Sequence, residues 1–194
     1  HGIKQYAVSE TQKYGHVTYF WNGNRLEKFD ELLEEFEEIP SDKVPFEQRP
    51  WMKAAEITDK VIEAIKSGKY GFIRANFPNG DMVGHTGSFQ AAKIAVEAVD
   101  LCLGRIIEAV NEAEAILIVT ADHGNADEMY EKAKANELPR PKTSHTLNPV
   151  PFIIYDKLHK HEIKEGSYGL ANVASTIARL FNIEKPDVWE DSMI

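Results

Sequence analysis

The chain has 194 residues, with 22 Lys and Arg against 31 Asp and Glu for a formal net charge of −9, and 43% of its residues are hydrophobic. That length and balance describe one globular domain, or one domain plus a fragment of another, with a real core, and exclude wholesale disorder. An acidic chain with no long basic run is not built to hold nucleic acid or an anionic membrane surface, so an anionic substrate has to be drawn in by local cations or metal.

Taken in chain order, His1 to Glu10 is mixed and polar, too mixed for a signal peptide. Val17-Thr18-Tyr19-Phe20-Trp21 is β-branched and aromatic and stops at Asn22-Gly23-Asn24, which predicts a strand and a turn. Arg25 to Gln48 alternates acidic clusters with Pro40 and Pro45; within it Glu31 to Glu38 reads either as a short helix or as an acidic surface excursion. Met52 to Ile65 has apolar residues at three-to-four spacing and predicts a helix ended by Ser67-Gly68. Trp51, just after Pro50, is expected to staple the start of that helix.

Tyr70 to Phe77 predicts a strand running into a Pro78-Asn79-Gly80 turn, and Phe89 to Asn111 a long helix. Ala115 to Thr120 is a continuous apolar run, as in a parallel strand covered on both faces. Val150 to Tyr155 predicts a further strand and Leu170 to Phe181 a closing helix. Strands alternating with helices make the fold class α/β, a mostly parallel sheet flanked by helices, in which ligands bind beyond the carboxyl ends of strands.

The single cysteine, Cys102, excludes an intramolecular disulfide and a cysteine-based zinc cage, and its place in an apolar helix predicts a packed thiol. No apolar stretch has the roughly 20 residues that span a bilayer, so a cytoplasmic setting is expected. The chain starts without Met and is expected to be a piece of something longer.

Chemistry-bearing residues gather after the strands. Asp81 and His85 follow the strand ending near Phe77, Asp122-His123 follows Thr120, and His145 precedes the Val150 strand. Alone, Asp81 and His85 read equally as turn-shaping and capping residues. Asp122-His123 at the rim of a buried strand is sharper, because unpaired burial of such groups is costly. Together, two carboxylates and three imidazoles with no soft sulfur suit Mn²⁺, Zn²⁺ or Fe, and five ligands suggest two ions rather than one. Asp127 and Glu128 read either as carboxylates orienting His123 or as caps of a helix starting near Glu128, and His159 and His161 as a solvated surface.

Four stretches resemble the cofactor-independent (2,3-bisphosphoglycerate-independent) phosphoglycerate mutases of the alkaline phosphatase superfamily. They are Glu10 to Arg25, Gly80-Asp81-Met82-Val83-Gly84-His85-Thr86-Gly87, Thr120-Ala121-Asp122-His123-Gly124-Asn125-Ala126-Asp127-Glu128-Met129, and Ser144 to Pro151. The resemblance implies an alkaline phosphatase-like fold and interconversion of 3-phosphoglycerate and 2-phosphoglycerate through a phosphoserine enzyme. It implies two divalent ions, Mn²⁺ first and otherwise Mg²⁺ or Co²⁺. Asp81, His85 and His145 would hold one ion, Asp122 and His123 the other, with Lys13 the active-site lysine on the phosphoryl group. The nucleophilic serine, a further aspartate ligand and an inserted domain with substrate-binding arginines lie in the family before the stretch that His1 begins. Residues 1–194 are therefore expected to be the C-terminal part of the metal-binding domain, incomplete at its N-terminal side and inactive without the missing segment. Ser9 and Ser88 stand outside the nucleophile context of the family and are not nominated.

Overall fold

The computed structural model describes residues 1–132 and 138–194. They form two units, one of His1–Ala115 with His123–Val150, the other of Ile116–Asp122 with Pro151–Ile194.

The larger unit is organised by a strand at its very beginning, β1 (Gln5–Glu10), in which Tyr6, Ala7, Val8, Ser9 and Glu10 are all buried. β1 is the middle of a three-stranded sheet, with β2 (Glu34–Ile39) on one side and β3 (Phe72–Ala75) on the other, both parallel to it. The register sets Gln5 beside Glu34 and Phe72, and Val8 beside Glu37 and Ala75. Helix α2 (Ala54–Ser67) packs on β1 and β3 and against the long helix α4 (Phe89–Ala113). Ala54, Ile57, Val61 and Ala64 form the buried stripe of α2, and Ala92, Ala95, Cys102, Ile106, Ala109 and Val110 that of α4. Gly68 ends α2 in the left-handed conformation. Cys102 is a buried free thiol, as its helical stripe predicts.

Two short helices lie where loops were expected. α1 (Tyr14–Val17) follows β1, and α3 (Asn79–Gly84) follows β3 and packs on α4. The stretch Val17 to Trp21 is not a strand. Its backbone closes turns through Phe20 N–H to Gly15 O and Asn22 N–H to Thr18 O, and Trp21 lies over the buried Arg74 guanidinium at 5.2 Å. β propensity loses there to packing: β1 already fills the centre of the sheet, and Trp21 rests on Phe72 and Arg74 of β3. The helical reading of Glu31 to Glu38 gives way to β2, and Trp51 is half exposed while Met52 takes the buried place beside the helix start.

The smaller unit holds β4 (Leu117–Thr120), β5 (Phe152–Tyr155) and α5 (Ala171–Leu180). β4 and β5 pair antiparallel, Leu117 opposite Tyr155 and Thr120 opposite Phe152, so the apolar run Ala115 to Thr120 is not a parallel strand. Its side chains are half-buried rather than enclosed on both faces. An apolar run reports burial and not the direction of its neighbour. Thr176 is fully buried, and its hydroxyl receives the Met193 N–H at 3.0 Å while donating to Asn172 O. No helix among the described residues is long and apolar enough to cross a membrane.

Candidate metal centre

Adjacent parallel strands of the larger unit deliver the first two groups at their carboxyl ends. Lys13 stands just past β1, its N–H bonded to Glu10 O, and Asp81 lies in α3 just past β3. Asp81 and His85 are four residues apart, so α3 presents both on one face while Val83 between them is fully buried with Ala91, Ala92 and Ala95 of α4. A carboxylate and an imidazole are thus seated on an apolar floor.

The second half of the centre comes from residues 123–132 and 138–146. Thr146 N–H donates to Gly124 O at 2.9 Å in an antiparallel bridge, and the Thr146 hydroxyl donates to Asp127 Oδ2, also at 2.9 Å. Asn148 Nδ2 donates to the same oxygen at 2.5 Å. A second bridge joins Tyr130 to Pro141, and the Tyr130 hydroxyl donates to Gly87 O at 2.6 Å. These bonds return the chain to α3 and place His145 beside Asp81.

The geometry is tight. His85 Nε2 is 3.1 Å and His145 Nε2 3.2 Å from Asp81 Oδ1, while Lys13 Nζ is 2.7 Å from Asp81 Oδ2. His123 stacks on His145 with ring centroids 3.5 Å apart and planes 10° from parallel. His123 Nδ1 meets Gly124 O at 3.3 Å; a carbonyl only accepts, so Nδ1 carries a hydrogen. Burial pushes the Asp81 carboxyl up, but the Lys13 ammonium, with His85 and His123, holds it below the usual range.

One carboxylate and two imidazoles whose ligand atoms all lie within 4.8 Å of one another make a donor set for a divalent cation. Nitrogen and oxygen donors without sulfur suit Mn²⁺, Co²⁺ or Zn²⁺, and three protein ligands leave positions open for substrate. Of the residues singled out in the sequence, Lys13, Asp81, His85, His123 and His145 meet in the larger unit. Asp122 is the last residue of the smaller unit before the chain enters the larger one at His123.

Other expectations resolve differently. Asp127 caps no helix, since residues 121–132 contain none; it anchors Thr146 and Asn148, and Glu128 pairs with Lys142 at 3.1 Å. Ser88 caps α4 through Ala91 N–H, and the fully buried Ser9 donates to Asn76 O, so both are structural. His159 and His161 are not simply solvated: both turn to Asp156, at 3.3 and 2.8 Å. Asn125 was missed as a site residue. Its Nδ2 lies 3.0 Å from both Asp81 Oδ1 and His85 Nε2, and the only sequence signal was its place two residues after His123.

A parallel α/β core with a carboxylate–imidazole cluster at its strand ends is the framework of a metal-dependent enzyme. The profile of the Metalloenzyme superfamily matches residues 1–185, and the chain belongs to that superfamily. It is 49% identical over 204 residues to the 2,3-bisphosphoglycerate-independent phosphoglycerate mutase of Trypanosoma brucei brucei, covering 100% of this chain and 37% of that protein. It is 44% identical to 2,3-bisphosphoglycerate-independent phosphoglycerate mutase 1 of Arabidopsis thaliana, again covering 37% of the relative. A crystal structure of Leishmania mexicana phosphoglycerate mutase at low cobalt concentration superposes with a TM-score of 0.91 at 47% identity, over 99% of this chain and 37% of that one. The chain thus spans a little over a third of the length of the relatives it matches, and its fold is the alkaline phosphatase-like α/β fold of such a mutase.

Proposed function

We propose that this chain is the metal-binding portion of a 2,3-bisphosphoglycerate-independent phosphoglycerate mutase. The whole protein interconverts 3-phosphoglycerate and 2-phosphoglycerate in glycolysis and gluconeogenesis, in the cytoplasm, through a phosphoserine that lies outside these 194 residues. The observation that carries the reading is the Lys13 ammonium held 2.7 Å from Asp81, beside a three-ligand cluster at the strand ends. Asp81, His85 and His145 are the ligands of one divalent cation, and Asp122 and His123 those of a second; Mn²⁺ is first choice, then Mg²⁺ or Co²⁺. Such ions, when bound, polarise phosphoryl oxygens and favour an oxyanion nucleophile. Lys13 supplies a fixed positive charge to the transferring phosphoryl group, where equatorial charge accumulates. Its pairing with Asp81 presets the ammonium, so no reorganisation is required as that charge develops.

The partners are the phosphoglycerates and the remaining segment of the same protein, with no nucleic acid and no membrane. On this reading the nucleophile is supplied by the remaining segment, and the chain alone should be inactive. ³¹P NMR of 3-phosphoglycerate with Mn²⁺ should stay unchanged with this chain and show 2-phosphoglycerate once the complementary segment is added. Turnover by the chain alone would overturn the assignment of the nucleophile.

A further inference from the structure

Asp81 Oδ1 and His85 Nε2 are 3.1 Å apart, and both face the Asn125 side chain at 3.0 Å. The amide orientation follows from chemistry. Were it flipped, its carbonyl oxygen would face a carboxylate oxygen; as placed, an NH₂ group with two hydrogens meets two acceptors. In the neutral ring that carries its hydrogen on Nδ1, the form in which an imidazole ligates a metal through Nε2, His85 Nε2 accepts from Asn125 Nδ2 with the single lone pair it has in the ring plane. A hydrogen bond and a coordinate bond therefore cannot use that lone pair together.

Gly84 admits the amide. A Cβ at Gly84 would lie 2.1 Å from Asn125 Oδ1 and 3.1 Å from its Cγ. Gly80, one turn earlier in the same helix, has nothing within 4 Å of the corresponding position. The helix is open at one glycine for no evident partner and at the other for this side chain.

We propose that Asn125 is a positioning residue that sets cation affinity by competition, its NH₂ group occupying the His85 Nε2 lone pair that a divalent cation needs while it also bonds Asp81 Oδ1. The inference rests on the metal-centre reading. A cation that takes both atoms turns the amide out, so binding strength is the difference between two bonded arrangements. A residue that merely oriented the ligands would do the opposite, and its loss would weaken binding. The sign of the change therefore separates the two roles.

Calorimetric titration of MnCl₂ into the chelator-treated chain tests this. Asn125→Ala should bind Mn²⁺ about 3- to 10-fold more tightly than the wild type, the range for removing one to two competing hydrogen bonds of ordinary net strength. Gly84→Ala, which expels the amide without deleting it, should shift affinity the same way relative to Gly80→Ala. Equal or weaker binding by Asn125→Ala overturns the competition. A wild type that takes up no Mn²⁺ overturns the metal-centre reading as well, which keeps the two failures apart. If the variants do not fold, the wild type still decides. In ¹⁵N-labelled protein the Asn125 side-chain NH₂ resonance should move toward the exposed-amide position as diamagnetic Zn²⁺ saturates the chain. A resonance that does not move at saturation rejects the proposal.

Discussion

Lys13 Nζ and Asp81 Oδ2, 2.7 Å apart, join the carboxyl ends of two adjacent parallel strands that are far apart in sequence. Both side chains are about nine-tenths buried, at 9% and 13% exposure, so this pair is not a solvent-screened surface bridge. Removing Lys13 leaves the Asp81 carboxylate with the Asn125 amide and the neighbouring imidazoles as its remaining partners. Lys13→Met should therefore destabilise the chelator-treated chain by about 1–3 kcal/mol at neutral pH, less than the loss for a buried charge left with no partner. Urea unfolding measures it, and a loss under about 0.5 kcal/mol would mean that those partners carry the Asp81 charge without Lys13.

Gly124 gives a second test, of how His145 is held. A Cβ there would lie 2.1 Å from Thr146 Oγ1 and 2.6 Å from Asp127 Oδ1, in the bridge that returns the chain to the site. Gly124→Ala should cost about 1–3 kcal/mol as overpacking does, and weaken Mn²⁺ binding because His145 is the residue immediately before Thr146. Thermal unfolding and metal titration read the two effects. A stability loss with intact Mn²⁺ affinity would show that the bridge does not position His145.

The site was more legible in the sequence than the sheet. Asp81, His85, His123 and His145 are chemically conspicuous residues close behind strand signals, and four-residue spacing on a helix brings Asp81 and His85 together whether or not the helix is foreseen. β1 and β2 were missed for a physical reason. Gln-Tyr-Ala-Val-Ser-Glu is short and ends in polar residues that are buried only because partners are supplied from afar, Ser41 and Lys53 N–H for Glu10 and Asn76 for Ser9. β2 carries four glutamates, a composition that disfavours strands. Glu34 accepts from Asn22 and Phe29 N–H, Glu35 from Tyr70, Glu37 from Tyr6 and Lys60, and Glu38 from Thr11. Each donor lies outside the strand, and all but Phe29 N–H are 12 or more residues away, beyond a local sequence window. Strand direction in the β4–β5 pair was equally nonlocal, being decided by which chain end approaches.

In the smaller unit, Asp156 should dominate the acid limb. His161, then the N–H groups of Leu158 and His159 and the His159 ring, pull its carboxyl down to about 2. A depressed folded value means that its stabilisation is complete above about 4, the ordinary carboxylate range, and is lost as pH falls toward 2. Asp156→Asn keeps an oxygen for the turn and removes the titration. The wild type should lose melting temperature between pH 4 and 2 more steeply than the variant, by calorimetry. Parallel profiles would show that the histidines do not act through Asp156.

Glu114 ends α4 with φ +52° and ψ +39°, its N–H bonded to Val110 O, while the equivalent position of α2 is Gly68 at φ +62°. A side chain in the left-handed region carries a Cβ clash that glycine does not, and a negative charge at a helix carboxyl end opposes the macrodipole. Against this, glycine adds disorder to the unfolded chain. The steric and dipole effects are the larger, so Glu114→Gly should stabilise by about 0.5–1 kcal/mol, raising the melting temperature by about 1–4 °C for a domain of this size. The position is exposed and is none of the proposed ligands, so Mn²⁺ affinity should not change. Gly68→Ala should move stability the other way by a similar amount. If both substitutions destabilise, the Glu114 side chain makes a contact worth more than the strain it bears.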